Sequence, residues 1–160
     1  MDIEKPHGAG KKEKISLDSA AKHLLEECRM VLPGIQALFG FQLIAVFNES
    51  FEKKLSEGEQ QLHLAAIVLV VVAVALVMAP AAIHRWTSQR EVSERFIWAS
   101  SWLLFASMPP LAVALSLDIY LIGRVILGAS GMSVAIAAIL LAVLLVLWIA
   151  LPWSERGKQS

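Results

Sequence analysis

Four stretches of this chain carry no ionisable side chain: Met30–Asn48, Leu64–Ile83, Phe96–Leu117 and Val125–Ser154. An α-helix rises about 1.5 Å per residue, so each stretch can cross a hydrocarbon layer roughly 30 Å thick. The chain has 160 residues, 57% of them hydrophobic, and a mean hydropathy of +0.63. A soluble domain of that size does not need so much apolar sequence for its core. The sequence therefore reads as an all-α integral membrane four-helix bundle, with spans at about 30–48, 62–84, 96–117 and 125–151. The formal net charge is zero, so the expected partner is the lipid bilayer and not nucleic acid.

The charges are distributed unevenly around these spans. Of the 14 Lys and Arg residues, Lys53, Lys54 and Arg124 fall on one side. The others precede span one, lie between spans two and three, or follow span four. The positive-inside rule then places both termini in the cytoplasm, with the bundle in the inner or plasma membrane. Trp86, Trp98, Trp148 and Trp153 fall near the same interface, where indole rings prefer to sit. Residues 1–15 are expected to be a disordered tail and 154–160 a short cytoplasmic one, flanking a single domain over 16–153. No secretory signal is expected before span one.

From Leu17, apolar positions recur in steps of four and three: Leu17, Ala21, Leu24, Cys28, Val31. Asp18, Lys22, Glu26 and Arg29 take the other face, which predicts a cytoplasmic amphipathic segment before span one. Pro33-Gly34 predicts a kink or a helix restart. Between spans three and four, residues 118–131 are too apolar for a free loop, and a tilt, a bend or an interfacial segment all remain open.

The candidate functional residues fall into three groups. Glu26, Glu27 and Arg29 stand at the cytoplasmic rim, on the same side as His84 and Arg85. They are read as a clamp docking span one onto span two through charge-assisted hydrogen bonds, with proton sensing by His84 as the alternative. A polar path is the second group. Gln36 is expected to face the bundle, because an amide is costly against lipid. Gln42 is expected to point elsewhere, toward another span or a second subunit. Pro109-Pro110 is expected to break span three and free carbonyls that can coordinate a cation, with Ser100, Ser101 and Ser107 nearby. Asp118 and Arg124 bracket the outer turn, either paired with each other or with Asp118 facing the outer mouth. The third group is a small-residue packing stripe, Gly128, Gly131, Ala135, Ala138 and Ala142, with Ala75, Ala79 and Ala82 on span two. Such stripes serve packing within the bundle or assembly into a homo-oligomer.

No arrangement of catalytic type is present in the sequence. Cys28 is the lone cysteine, and His63 and His84 are a full span apart, so neither a metal site nor a haem is expected and no cofactor is assigned. The chain is expected not to be an enzyme.

The stretches LLEECRMVLPGIQALFGFQL, APAAIHRW, SLDIYLIG and WIALPW resemble those of a bacterial family of small four-span membrane proteins of unknown function. The resemblance covers roughly residues 20–153. It is sharpest at Glu27, Arg29, Pro33, Gly34 and Gln36, and at Ala79, Pro80, His84 and Arg85. The apolar turn carrying Arg124 departs from the family's shorter turn. The resemblance implies the four-span fold and no settled activity, although some members are labelled sodium:proton antiporters. The expected role is that of a non-enzymatic membrane protein, with a small proton- or cation-coupled transporter as the rival.

Overall fold

The computed structural model describes residues 17–86, 94–128 and 130–151, all as helix apart from short turns. Helix α1 covers Leu17–Val46, α2 Glu49–Lys54, α3 Glu57–Trp86, α4 Glu94–Leu127 and α5 Ser130–Leu145, which ends in a π-helical turn at Val146–Ala150. Four of these, α1, α3, α4 and α5 with its π turn, are long and apolar enough to cross a membrane. The proposed tails at 1–15 and 154–160 lie outside the described residues, as does the stretch 87–93 of the basic loop.

The buried positions follow a heptad rule. On α3 they are Glu59, His63, Ala66, Val70, Ala73, Val77 and Pro80, in alternating steps of four and three. On α1 they are Ala21, Cys28, Ile35 and Gln42, each seven apart. On α4, Ser100, Ser107, Ala114 and Leu121 repeat the same interval. A seven-residue repeat keeps one seam of each helix against its neighbours over many turns. Ala66, Ala73, Ser100, Ser107 and Ala114 are small, which lets the backbones of α3 and α4 come close. The apolar core joins Cys28, Ile35, Val70, Val77 and Ala114 from three helices. Outside this seam the large side chains face outward: Phe41, Ile44, Trp86, Trp98, Ile126 and Ile139 are all exposed, as a bilayer-facing surface requires.

Several local expectations are corrected. The amphipathic segment is the first part of α1, which continues through Pro33 and Gly34 without a restart. Helix α4 likewise runs through Pro109 and Pro110 without a break. Proline's fixed φ near −65° is the helical value, so lost hydrogen bonds need not end a helix held by neighbours on several sides. The real break is at Gly128, whose φ of +64° a residue with a Cβ rarely adopts. That left-handed residue closes α4 through Gly128 N–H to Arg124 O at 3.1 Å, a helix-ending turn. Gly128 is thus a turn residue and not a packing one.

The small-residue stripe also faces the wrong way for intrachain packing. Gly131, Ala135, Ala138 and Ala142 are exposed, while Ser133 and Ala137 are the buried positions of α5. Ala75 and Ala82 of α3 are exposed too, leaving the seam to Ala66 and Ala73. Helix α5 meets α4 at Gly123, where an added Cβ would lie 2.9 Å from Ser133 Oγ.

Candidate functional site

The turn between α2 and α3 is built by four residues, Ser56-Glu57-Gly58-Glu59. Ser56 Oγ accepts from the Glu59 backbone N–H at 3.4 Å, while Glu59 Oε2 accepts from the Ser56 N–H and hydroxyl, each at 2.9 Å. This reciprocal box satisfies the orphan donors of the helix start. It also fixes the carboxylate, whose second oxygen accepts from Arg124 Nε and from the Tyr120 hydroxyl at 3.3 Å. Arg124 Nη1 donates onward to Gly128 O at 3.1 Å. One glutamate therefore ties the start of α3 to the end of α4 and its turn. Arg124 pairs with Glu59 and not with Asp118.

About one turn further along α3, a second polar layer is buried. Gln42 Nε2 donates to Asp118 Oδ2 at 2.7 Å. His63 Nε2 donates to Gln42 O at 2.9 Å, because a carbonyl can only accept. His63 Nδ1 lies 3.7 Å from Asp118 Oδ1. Phe51 of α2 meets the imidazole edge-on, with ring centroids 5.0 Å apart. Gln42, His63 and Asp118 come from three helices and are 3%, 5% and 9% exposed. Buried polar groups of this kind are stabilised only by such mutual hydrogen bonds. Among the described residues, Gln42 Oε1 has no hydrogen-bond partner.

These three side chains line a cavity of about 310 Å³. Asn48 adds a fourth polar side chain, and the remaining walls are apolar, formed by Leu38, Phe41, Leu55, Leu121, Ile122 and neighbouring residues of α1, α2 and α4. Phe51 and Leu55 sit one helical turn apart, so the short α2 and the turn after it supply one wall. The opposite face of α2 carries an exposed Glu49–Lys53 ion pair at 2.7 Å.

The other candidates are dispersed. Glu26, Glu27, Arg29 and Arg85 are exposed, and among the described residues no ion pair joins the acidic pair to His84 or Arg85. His23 approaches Glu26 at 3.8 Å within α1, and His84 packs on the Phe96 ring with centroids 5.5 Å apart. A water-exposed charge needs no partner, so the rim clamp does not form from these residues. Gln36 is exposed and does not face the bundle, whereas Gln42, expected to reach another span or a second subunit, is buried and reaches Asp118 on α4. Pro109 and Pro110 are half-buried, and Asp118 lies at the far end of α4 from Ser100. The proposed polar path therefore reduces to Asp118. Ser107 donates to Leu104 O at 2.7 Å, within its own helix. Ser100 is fully buried, and its hydroxyl has no partner among the described residues.

A family model of unknown function, DUF6328, matches residues 11–152. The chain belongs to DUF6328. The match covers both polar layers, all four long helices and the Gly128 turn, in agreement with the resemblance drawn from the sequence. No curated protein and no solved structure matches this DUF6328 chain. Its function must be argued from the pocket.

Proposed function

We propose that this is a non-enzymatic, multi-pass membrane protein that binds a small, mostly apolar molecule in the cavity between α1, α2 and α4. The observation that carries the reading is an apolar cavity of about 310 Å³ with His63, Gln42 and Asp118 on its wall. A concave, apolar site with a few converging polar groups is the usual form of a small-molecule site, and the volume is at the lower end of the common range. A neutral aliphatic diazirine alcohol, photolysed with the protein in phosphatidylcholine nanodiscs, tests it. Label is expected to concentrate on peptides carrying Phe51, Leu55 and Leu121, the pocket residues that do not face outward. Label spread evenly over these and the outward-facing Ile139 and Val143 would count against a pocket.

The same proposal places both termini in the cytoplasm and the cavity at the outer face of the inner or plasma membrane. On a Cys28→Ser background, Lys53→Cys is expected to react with an impermeant maleimide on intact cells. Ser160→Cys is expected to react only after permeabilisation, and the reverse pattern would invert the orientation. Self-association through the exposed Gly131, Ala135 and Ala138 face of α5 belongs to this reading, and disulfide trapping of Ala138→Cys tests it.

A proton- or cation-coupled transporter is the second reading, favoured by one buried carboxylate beside an imidazole. Against it stands the layer beneath, where Ile35, Val70, Val77 and Ala114 form an apolar core. Flux in proteoliposomes no greater than in empty liposomes, for wild type as for Asp118→Asn, would end it.

A further inference from the structure

We propose that a second copy of this chain docks on α1, in parallel, through a seam centred on Gln36. The inference is independent of the cavity and of what it binds. The buried seam of α1 is Ala21, Cys28, Ile35 and Gln42. One residue further on, about 100° around the helix, a second series keeps the same interval: Lys22, Arg29, Gln36 and Leu43. Glu26, Pro33 and Gly40 fall between them, in the alternating steps of four and three that mark a heptad seam. All of these are exposed except Gly40, where an added Cβ would meet nothing within 4 Å. This outward seam is left uncovered by the chain's own helices. The Gly131–Ala138 face of α5 is a separate surface, since α5 packs on α4.

Gln36 decides what covers the seam. The four uncharged runs hold three side-chain amides. Gln42 is buried against Asp118 and Asn48 ends its run, whereas Gln36 is exposed seven residues, about 10 Å, beyond Arg29. Among the described residues no hydrogen bond reaches its amide. Lipid tails offer an amide neither donor nor acceptor, so at that depth its partner is protein. Two copies share one orientation in the membrane, and in a parallel two-fold pair Gln36 meets its own equivalent. An amide carries both donors and an acceptor, so the residue is its own complement. Pro33 and Gly40, before and after it in the seam, are compact and let the two amides approach. The charges agree with this register. In a parallel heptad pair each side chain enters a hole that includes the facing positions four after and three before it. Lys22 and Arg29 then both lie beside Glu26 of the second copy, and neither has a carboxylate partner in its own chain among the described residues. Water can meet those charges, so they select the register, while the amide beyond water's reach supplies the need for a partner.

Disulfide trapping in native membranes, on a Cys28→Ser background with copper phenanthroline, tests the seam. Pro33→Cys, Gly40→Cys and Leu43→Cys are expected to form linked pairs. Met30→Cys, Gly34→Cys and Phe41→Cys are also exposed but about 100–140° around the helix from Arg29, and are expected to stay single. Gln36→Leu changes only an outward side chain, so the fold stays intact. It is expected to raise the dissociation constant of the pair about tenfold, read by sedimentation equilibrium in density-matched micelles. Gln36→Asn, which keeps an amide, is expected to recover part of that loss. Mixed micelles that hold one chain each do not register this contact, so unfolding there reads the bundle alone. Equal trapping at all six α1 positions would mark random collision and overturn the proposal. Trapping of Ala138→Cys with none on α1 would overturn it and leave the α5 contact standing. Trapping on neither helix would overturn both. A Gln36→Leu pair as tight as the wild type would also overturn it, because the amide would then need no partner.

Discussion

Gly123→Leu is expected to cost the bundle about 3 kcal/mol, at the upper end of what overpacking a core usually costs. In an exposed helix, replacing glycine by a better helix former would stabilise by up to about 1 kcal/mol. Here the sign reverses, because a Cβ at Gly123 would lie 2.9 Å from Ser133 Oγ, 3.1 Å from its Cβ and 3.4 Å from its Cα. The last of these is backbone, so the side chain cannot simply rotate away, and α4 and α5 must separate. A longer side chain widens the gap along a contact on which α5 depends. Reversible unfolding in mixed detergent–SDS micelles reads the effect. Gly34→Leu and Gly40→Leu are the controls, since nothing lies within 4 Å of a Cβ at either position, and both should be neutral or slightly stabilising. Gly123→Ala should be milder than Gly123→Leu and partly suppressed by Ser133→Gly. Additive losses in that cycle would mean the two residues do not touch.

The fold was legible because the hydrocarbon thickness acts on every span independently, and four uncharged runs already satisfy it. The seams were only half legible. Ala21 and Cys28 were read as one stripe, and continuing it by sevens reaches Ile35 and then Gln42, the residues found buried. Desolvation cost points to Gln36 instead, although position 36 is about 100° around the helix from Ile35. Periodicity outranked polarity at that point. The box Ser56-Glu57-Gly58-Glu59 was also in view, since a serine three residues before a glutamate at the head of an apolar run is a helix-start signature. That glutamate is the anchor for Arg124. The pairs themselves were beyond reach of pattern alone. Gln42 and Asp118 are 76 residues apart in the chain, and Glu59 and Arg124 are 65 apart. Their meeting depends on the antiparallel register of α1, α3 and α4, which the turns set and the sequence pattern does not state. The rim charges misled for a simpler reason. Opposite charges on one side of a membrane can all be met by water, so proximity in topology carries no obligation to pair.

Gln42→Ala is expected to destabilise by about 2 kcal/mol, and Asp118→Ala by a similar amount, yet Gln42→Leu/Asp118→Leu together should cost less than either. The amide is the hydrogen-bond donor to Asp118 Oδ2 at 2.7 Å. Removing it strands a buried carboxylate, and removing the carboxylate strands a buried amide. Each leaves one group desolvated without its partner, which costs more than the bond itself contributes. Replacing both by apolar groups of similar size removes the obligation and fills the polar end of the cavity. Interhelical hydrogen bonds in membranes contribute about 0.6 kcal/mol on average, because the separated helices also find partners. A measured coupling near that smaller value, with single losses that simply add, would show that Asp118 retains a substitute donor. A large coupling with a stable double variant would separate the two roles of this layer. The fold would then do without the Gln42–Asp118 pair. A carboxylate beside an imidazole, at the wall of a mostly apolar cavity, would then be explained by what the cavity holds and not by what the bundle needs.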